Sequence, residues 1–166
     1  MNFRSKTLFI TTLLLFTVSY KACANPQGEN VVAGNASFNR SSPGTLTVNT
    51  TSQNTIINYN SFSIAANETT RFNQPNASSA VLNRVVGADP SQIYGTLSSN
   101  GKLFLVNPNG IIFGPNSSVN APAILASTLD ISNNDFLEGN YNFSRNGGNS
   151  YIINQGRLAA SPGGYI

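Results

Sequence analysis

The sequence has no histidine and no tryptophan, and its one cysteine, Cys23, stands close to the N-terminus. Charge is scarce too: nine Lys and Arg and six Asp and Glu in 166 residues. Each absence removes a class of chemistry. Without His there is no Ser-His-Asp triad and no imidazole base, and with one terminal Cys the usual zinc sites and Cys–His nucleophiles are excluded. The glycines at 34, 87, 95, 101, 110 and 114 are followed by no helical pattern, so they form no phosphate-cradling loop and read as turn residues.

The first 24 residues read as an export signal rather than as part of the fold. Arg4 and Lys6 make a positive start, and Thr7 to Tyr20 is an apolar stretch too short to span a bilayer comfortably. Ala22-Cys23-Ala24 then fits a small-x-small site, with cleavage after Ala24, while Tyr20-Lys21 does not fit a lipobox. Removing the signal takes away Arg4, Lys6, Lys21 and Cys23, leaving six basic residues against six acidic ones. The mature chain is near neutral, which takes the main support from a nucleic-acid partner. It must also hold together outside the cytoplasm without a disulfide.

What the mature chain does have is asparagine, 24 of them, interleaved with short clusters of Ile, Val, Leu and Phe. Seven Asn-x-Ser/Thr sequons, among them Asn35, Asn67 and Asn116, are what such a composition produces by chance. No segment keeps a helical period. Runs of three to six β-forming residues alternate with Gly, Pro and Asn, for example Thr45 to Val48, Ala80 to Leu82, Gln92 to Leu97, Lys102 to Val106 and Ile111 to Phe113. Ile124 to Leu129 is the one stretch open to a short helix, and strand is preferred there. The chain reads as all-β.

Two apolar residues followed by Asn recur at Asn58, Asn83, Asn107 and Asn154, with Asp130 in the intervening slot. The steps from Asn58 to Asn83 and on to Asn107 are 25 and 24 residues, and the step to Asn154 is 47, close to twice that. A period near two dozen built from short strands and turns is that of a parallel β-helix, whose coils stack at ~4.8 Å. On this reading the five residues form a structural ladder of stacked side chains. A β-sandwich, with turns every 8–12 residues, is the alternative, and only the longer period separates the two.

Lys102 to Val106 is apolar at nearly every position, as expected of a parallel strand buried on both faces. Its outer face therefore needs a cover, for which Asn67 to Gln74 is the candidate. The strand runs into Asn107-Pro108-Asn109-Gly110, where Pro108 presets φ for a type I turn and Gly110 suits its fourth position. An exposed, rigid corner of this kind is a good recognition feature. Asp130, Asp135 and Glu138 lie close in sequence, but a solvated polar loop is the more economical reading than a Ca²⁺ site or acid–base pair. No catalytic residue and no metal ligand is assigned. The chain stops at Gly163-Gly164-Tyr165-Ile166 within a turn-plus-strand pattern, so residues 25–166 are expected to be the N-terminal part of a longer protein.

Six blocks in order give a resemblance: residues 57–64, Phe72-Asn-Gln-Pro75, residues 80–87, Ser91 to Leu97, Asn100 to Gly114, and Ala126 to Ile131. From about Asn30 to Ile166 the chain resembles the N-terminal secretion domain of two-partner secretion exoproteins, the filamentous-haemagglutinin-type family of Gram-negative bacteria. The resemblance implies a right-handed parallel β-helix with an N-terminal β cap and extra-helical strands. It also implies a non-enzymatic, cofactor-free task. Exported by the Sec translocon, such a domain directs its exoprotein to a cognate outer-membrane β-barrel transporter with POTRA domains and nucleates folding at the cell surface.

Asn107, Pro108, Asn109 and Gly110 map onto the family's signature turn, for which transporter recognition is implied. A second signature, Asn-Pro-Asn-Leu, is absent, and Val85 to Asp89 occupies its region, as in the haemolysin and adhesin branch. The expected protein is a secreted or surface-held monomer whose full length serves as an adhesin, haemagglutinin or haemolysin. A carbohydrate-active β-helix enzyme and a directly adhesive domain are the competing readings.

Overall fold

A computed structural model of the chain describes residues 25–145 and 149–166. Residues 1–24, read above as the export signal cleaved after Ala24, lie outside the described residues. The chain opens with β1 (Asn30–Ala33) and β2 (Ala36–Asn39), then winds through β3 (Thr45–Thr50), β4 (Asn54–Tyr59), β5 (Thr69–Asn73), β6 (Ala80–Val85) and β7 (Ser91–Ile93). It continues with β8 (Thr96–Ser99), β9 (Lys102–Val106), β10 (Ile111–Phe113), β11 (Ser118–Ala121) and β12 (Ile124–Ser127). An excursion through β13 (Asp130–Ile131), α1 (Asn133–Glu138) and β14 (Phe143–Ser144) follows before β15 (Ile152–Asn154) and β16 (Arg157–Ala160).

Fourteen of these strands form three sheets that run along one coil, β1-β4-β6-β9-β12, β2-β3-β5-β8-β11-β16 and β7-β10-β15, while β13 and β14 pair with each other in the excursion. Every pairing between successive coils is parallel, whereas β1 and β2 pair antiparallel with β4 and β3. The fold is thus a parallel β-helix whose first edges are closed by an antiparallel cap. Capping matters because an open strand edge is a template for unwanted pairing. The coil length is not constant. Register links Leu46 to Thr70, Leu97 and Val119, steps of 24, 27 and 22 residues, while Val119 to Leu158 takes 39 because the excursion is inserted there.

Side chains alternate across each strand. On β9, Leu103 and Leu105 point into the coil with Leu46, Ile57, Val81 and Ile124, and Tyr59, Phe62 and Phe72 fill its first turns. Phe62 and Phe72 stack at 6.5 Å, with Tyr59 edge-on to Phe62 at 5.2 Å. Phe104 and Val106 face outward into a second cluster with Ile56, Leu82, Ile131 and Phe136. The strand is therefore buried on both faces, as its composition demands.

The cover, however, is not Asn67 to Gln74. That segment contributes β5 to the six-stranded sheet, and the outer face is covered by the excursion after β12. Phe136 packs edge-on to Phe104 at 5.3 Å and Tyr141 lies 4.8 Å from the same ring. Ile124 begins a strand, as preferred. The one helix among the described residues lies further on, where Ser132 caps its start and Gly139, at φ 77°, ends it. A six-residue helix has too few turns to show a period; Phe136 is its one buried side chain, and Asn54 and Arg84 add hydrogen bonds to the Leu137 carbonyl and Asn133 Oδ1.

Truncating Phe136→Ala removes that anchor and leaves a cavity against Phe104, which should cost about 3–5 kcal/mol of the excursion's stability. Limited proteolysis is expected to cut residues 131–143 much faster in the variant while the coil stays folded. Equal cleavage rates would show that the excursion is held by something else.

Candidate functional site

Asn107 leaves β9 with its backbone still in the ladder, its N–H donating to the Ser127 carbonyl at 2.9 Å. Its own carbonyl accepts from the Gly110 N–H at 3.1 Å, closing a four-residue turn. No non-glycine residue described has positive φ, so Pro108 and Asn109 both hold negative values, as a type I turn requires. Gly110 has φ +112°, a value that L side chains rarely adopt.

The side chain of Asn107 is fully buried and all its hydrogen-bonding capacity is directed inward. Its Oδ1 accepts from the Asn109 N–H at 2.9 Å, an Asx turn inside the β-turn. Its Nδ2 donates to the Asp89 carbonyl and to Ser91 Oγ, each at 3.0 Å, on the preceding coil. Two more bonds reinforce the joint. The Ser91 N–H donates to the Gly110 carbonyl at 3.0 Å, and Asn109 Nδ2 donates to the Gly87 carbonyl at 2.8 Å. On the other side the Ile111 N–H donates to the Tyr151 carbonyl at 3.2 Å.

The corner is therefore a rivet between coils, and only its middle faces solvent. Asn107 and Gly110 are buried, Pro108 is half-buried and Asn109 is exposed. Val85 ends β6, and the loop from residue 86 to residue 90 is the platform on which the turn sits. That loop is shaped by Gly87, where a Cβ would come within 2.0 Å of the Asn60 carbonyl oxygen. It is one of several corners where coils approach too closely for a side chain.

The five residues read as a ladder do not stack. Asn58 lies opposite Arg84, Asn83 lies opposite Ile57 and Leu105, and Asn154 lies opposite Phe113 in another sheet. Asn83 points into the coil, its Nδ2 donating to the Phe104 carbonyl at 3.0 Å. Asp130 leaves the coil altogether and pairs with Arg84, its Oδ1 2.8 Å from Nε. Arg84 also donates to Asn133 Oδ1, to the Ile131 carbonyl and, at 3.5 Å, to Asn58 Oδ1, so two of the five meet only through this guanidinium. The reason is unequal coil length: Ile57 to Asn83 is 26 residues and Asn83 to Leu105 is 22, so a constant step drifts out of register.

A real amide stack lies elsewhere. Asn73 Nδ2 donates to Asn49 Oδ1 at 2.8 Å, in register, and on the next coil Asn100 accepts from the Gln74 N–H and donates to its carbonyl. Its signal in the sequence was an apolar residue before each of two asparagines 24 apart, Val48-Asn49 and Phe72-Asn73.

The carboxylates of the excursion do not gather. Asp130 is held by Arg84, Asp135 accepts from Ser132 Oγ at the helix start, and Glu138 accepts from Asn140 Nδ2. Among the described residues no group of three or more His, Cys, Asp or Glu could hold a metal ion.

A capped parallel β-helix with this riveted corner defines a class of β-helical module. Residues 22–166 match the family model of the TPS secretion domain, and the chain belongs to that two-partner secretion family. Two heme/hemopexin-binding proteins of Haemophilus influenzae are similar to it. One is 31% identical over 151 residues, 89% of this chain and 16% of the relative, and the other is 38% identical over 137 residues, 80% and 15%. The crystal structure of the HMW1 secretion domain from Haemophilus influenzae matches with a TM-score of 0.76 at 38% identity, over 81% of this chain and 36% of that one. The chain thus spans no more than 16% of the length of these curated relatives. Proteins of the family are secreted exoproteins of Gram-negative bacteria, and membership implies a cognate outer-membrane transporter.

Replacing Asn107 by Ala orphans the Asp89 carbonyl, Ser91 Oγ and the Asn109 N–H, which should cost about 3 kcal/mol on the scale of buried hydrogen-bond loss. Asn109→Ala, at an exposed position, should cost about 1 kcal/mol or less. Urea unfolding of the two purified variants checks the contrast, and equal losses would contradict the rivet.

Proposed function

We propose that this chain is the address and folding seed of a larger exoprotein. The signal at residues 1–24 passes it through the Sec translocon with cleavage after Ala24, and the mature domain acts as a monomer without cofactor or enzymatic activity. A cognate outer-membrane β-barrel with periplasmic POTRA domains takes it across the outer membrane to the cell surface. The observation that carries this reading is the family match over residues 22–166, supported by a fold whose coils can be added one at a time.

The physical properties suit the route. Parallel pairing between residues two dozen apart forms slowly compared with local contacts, and without disulfides nothing locks the chain before it threads a pore. Once the first coils close outside, each offers a strand edge to the next, which biases movement outward. Within this reading the signature corner has two roles. Asn107 and Gly110 fix the joint between coils, while Pro108 and Asn109 are the side chains left for contact with the transporter. Beyond residue 166 we place an effector region of the adhesin, haemagglutinin or haemolysin kind, or one that captures heme as the names of the two relatives describe.

Secretion of Asn107→Ala and Asn109→Ala variants alongside the cognate transporter tests the proposal. Asn107→Ala should reduce the exported amount by at least about tenfold if folding at the surface draws the chain out, since the expected loss of about 3 kcal/mol exceeds the roughly 1.4 kcal/mol that makes a factor of ten. Both variants leaving the cell as well as the wild type would sink the role assigned to the corner.

A further inference from the structure

A groove lies at another corner of the coil, with none of residues 107–110 in its lining. Two cavities of about 430 and 460 Å³ lie side by side at the end of β11 and the start of β12, with Pro122 and Ser161 lining both, and together they make the groove. At one end stands Arg71 and at the other Lys102. Neither lining contains a carboxylate.

The two cations are not committed elsewhere. Among the described residues, Arg40 pairs with Glu29 and Arg84 with Asp130, while Arg71 and Lys102 have no carboxylate within salt-bridge distance. Unpaired cations in a polar concavity focus potential on an anion. Arg71, Ser98 and Asn120 are in register on β5, β8 and β11, so their side chains leave the same face of the sheet. Strand spacing sets their backbones ~4.8 Å apart, so the three side chains form one polar row across the coils.

At the other end Tyr165 is 41% exposed, with its backbone carbonyl fixed by the Ile124 N–H at 2.9 Å. Its aromatic ring offers an amphipathic contact surface. Burial first, and Tyr141 second, raise its phenol above the ordinary value, so it stays a neutral donor. The floor is stiff, because Gln74 Nε2 donates to Ser99 Oγ at 2.8 Å and to the Lys102 carbonyl at 3.1 Å. Each cavity falls in the size range of small-ligand sites.

We infer that this groove binds a short acidic oligosaccharide, with Arg71 and Lys102 on its carboxylates and Ser98, Asn120 and Tyr165 on its rings. The guanidinium can grip one carboxylate through two parallel N–H bonds, which a neutral sugar cannot offer. The site is independent of transport, so it stands or falls apart from the secretion reading.

The test is calorimetric titration of the purified mature protein with a galacturonic acid tetrasaccharide and with its methyl-esterified form. The acid form should bind, more weakly as salt is raised, and the neutral ester should bind at least about tenfold less well. Arg71→Gln and Lys102→Gln should each weaken binding at least about fivefold with an unchanged melting temperature, since both side chains reach solvent. No binding of the acid form, equal binding of the ester, or full binding by the double variant would each overturn the site.

Discussion

Everything in this fold depends on keeping successive coils in register although they differ in length. Parallel strands of neighbouring coils must meet residue for residue, yet the chain between them varies from coil to coil. The variation has to be absorbed at corners, and a corner that absorbs length needs a device to fix its position. The Asn107 carboxamide is such a device. It reaches back 16 residues to Ser91 and 18 to Asp89, and holds the turn that starts the next strand. A buried amide with every partner in place specifies one geometry, because any shifted register leaves polar atoms unpaired.

The same constraint links structure to export. The contacts that define each coil are distant in sequence, so no short segment can fold alone, and the chain contains nothing that would lock it early. The cap completes the picture at the other end. With β1 and β2 laid antiparallel on β4 and β3, the first edges of these two sheets are closed to further parallel pairing.

Much of this was legible in the residues. The all-β class, the coil of about two dozen residues, the buried strand Lys102 to Val106 and the turn after it all follow from local pattern. Register was not legible. The apolar-apolar-Asn triplets are evenly spaced along the chain, but strand pairing counts residues between corners, and corners differ. Asn83 shows the consequence, since its place in the text matches Asn58 while its place in the sheet faces Ile57. The cover over Phe104 was misplaced for a related reason: any polar stretch with a few apolar residues can serve, and only three-dimensional proximity selects residues 131–143. The short helix had its signals, Ser132 before it and Gly139 after it, but six residues give no period to read. The corner's inner role was hidden too, because sequence marks a turn without telling which of its side chains are buried.

The central claim is that Asn107 ties one coil to the previous one through Ser91. A double-mutant cycle of Asn107→Ala and Ser91→Ala, measured by urea unfolding of the mature domain, tests it most directly. The account predicts a coupling energy of about 1 kcal/mol or more, as for residues in one buried network. Losses that add to within about 0.3 kcal/mol would mean that the two residues act independently and that the coils are held in register by other means.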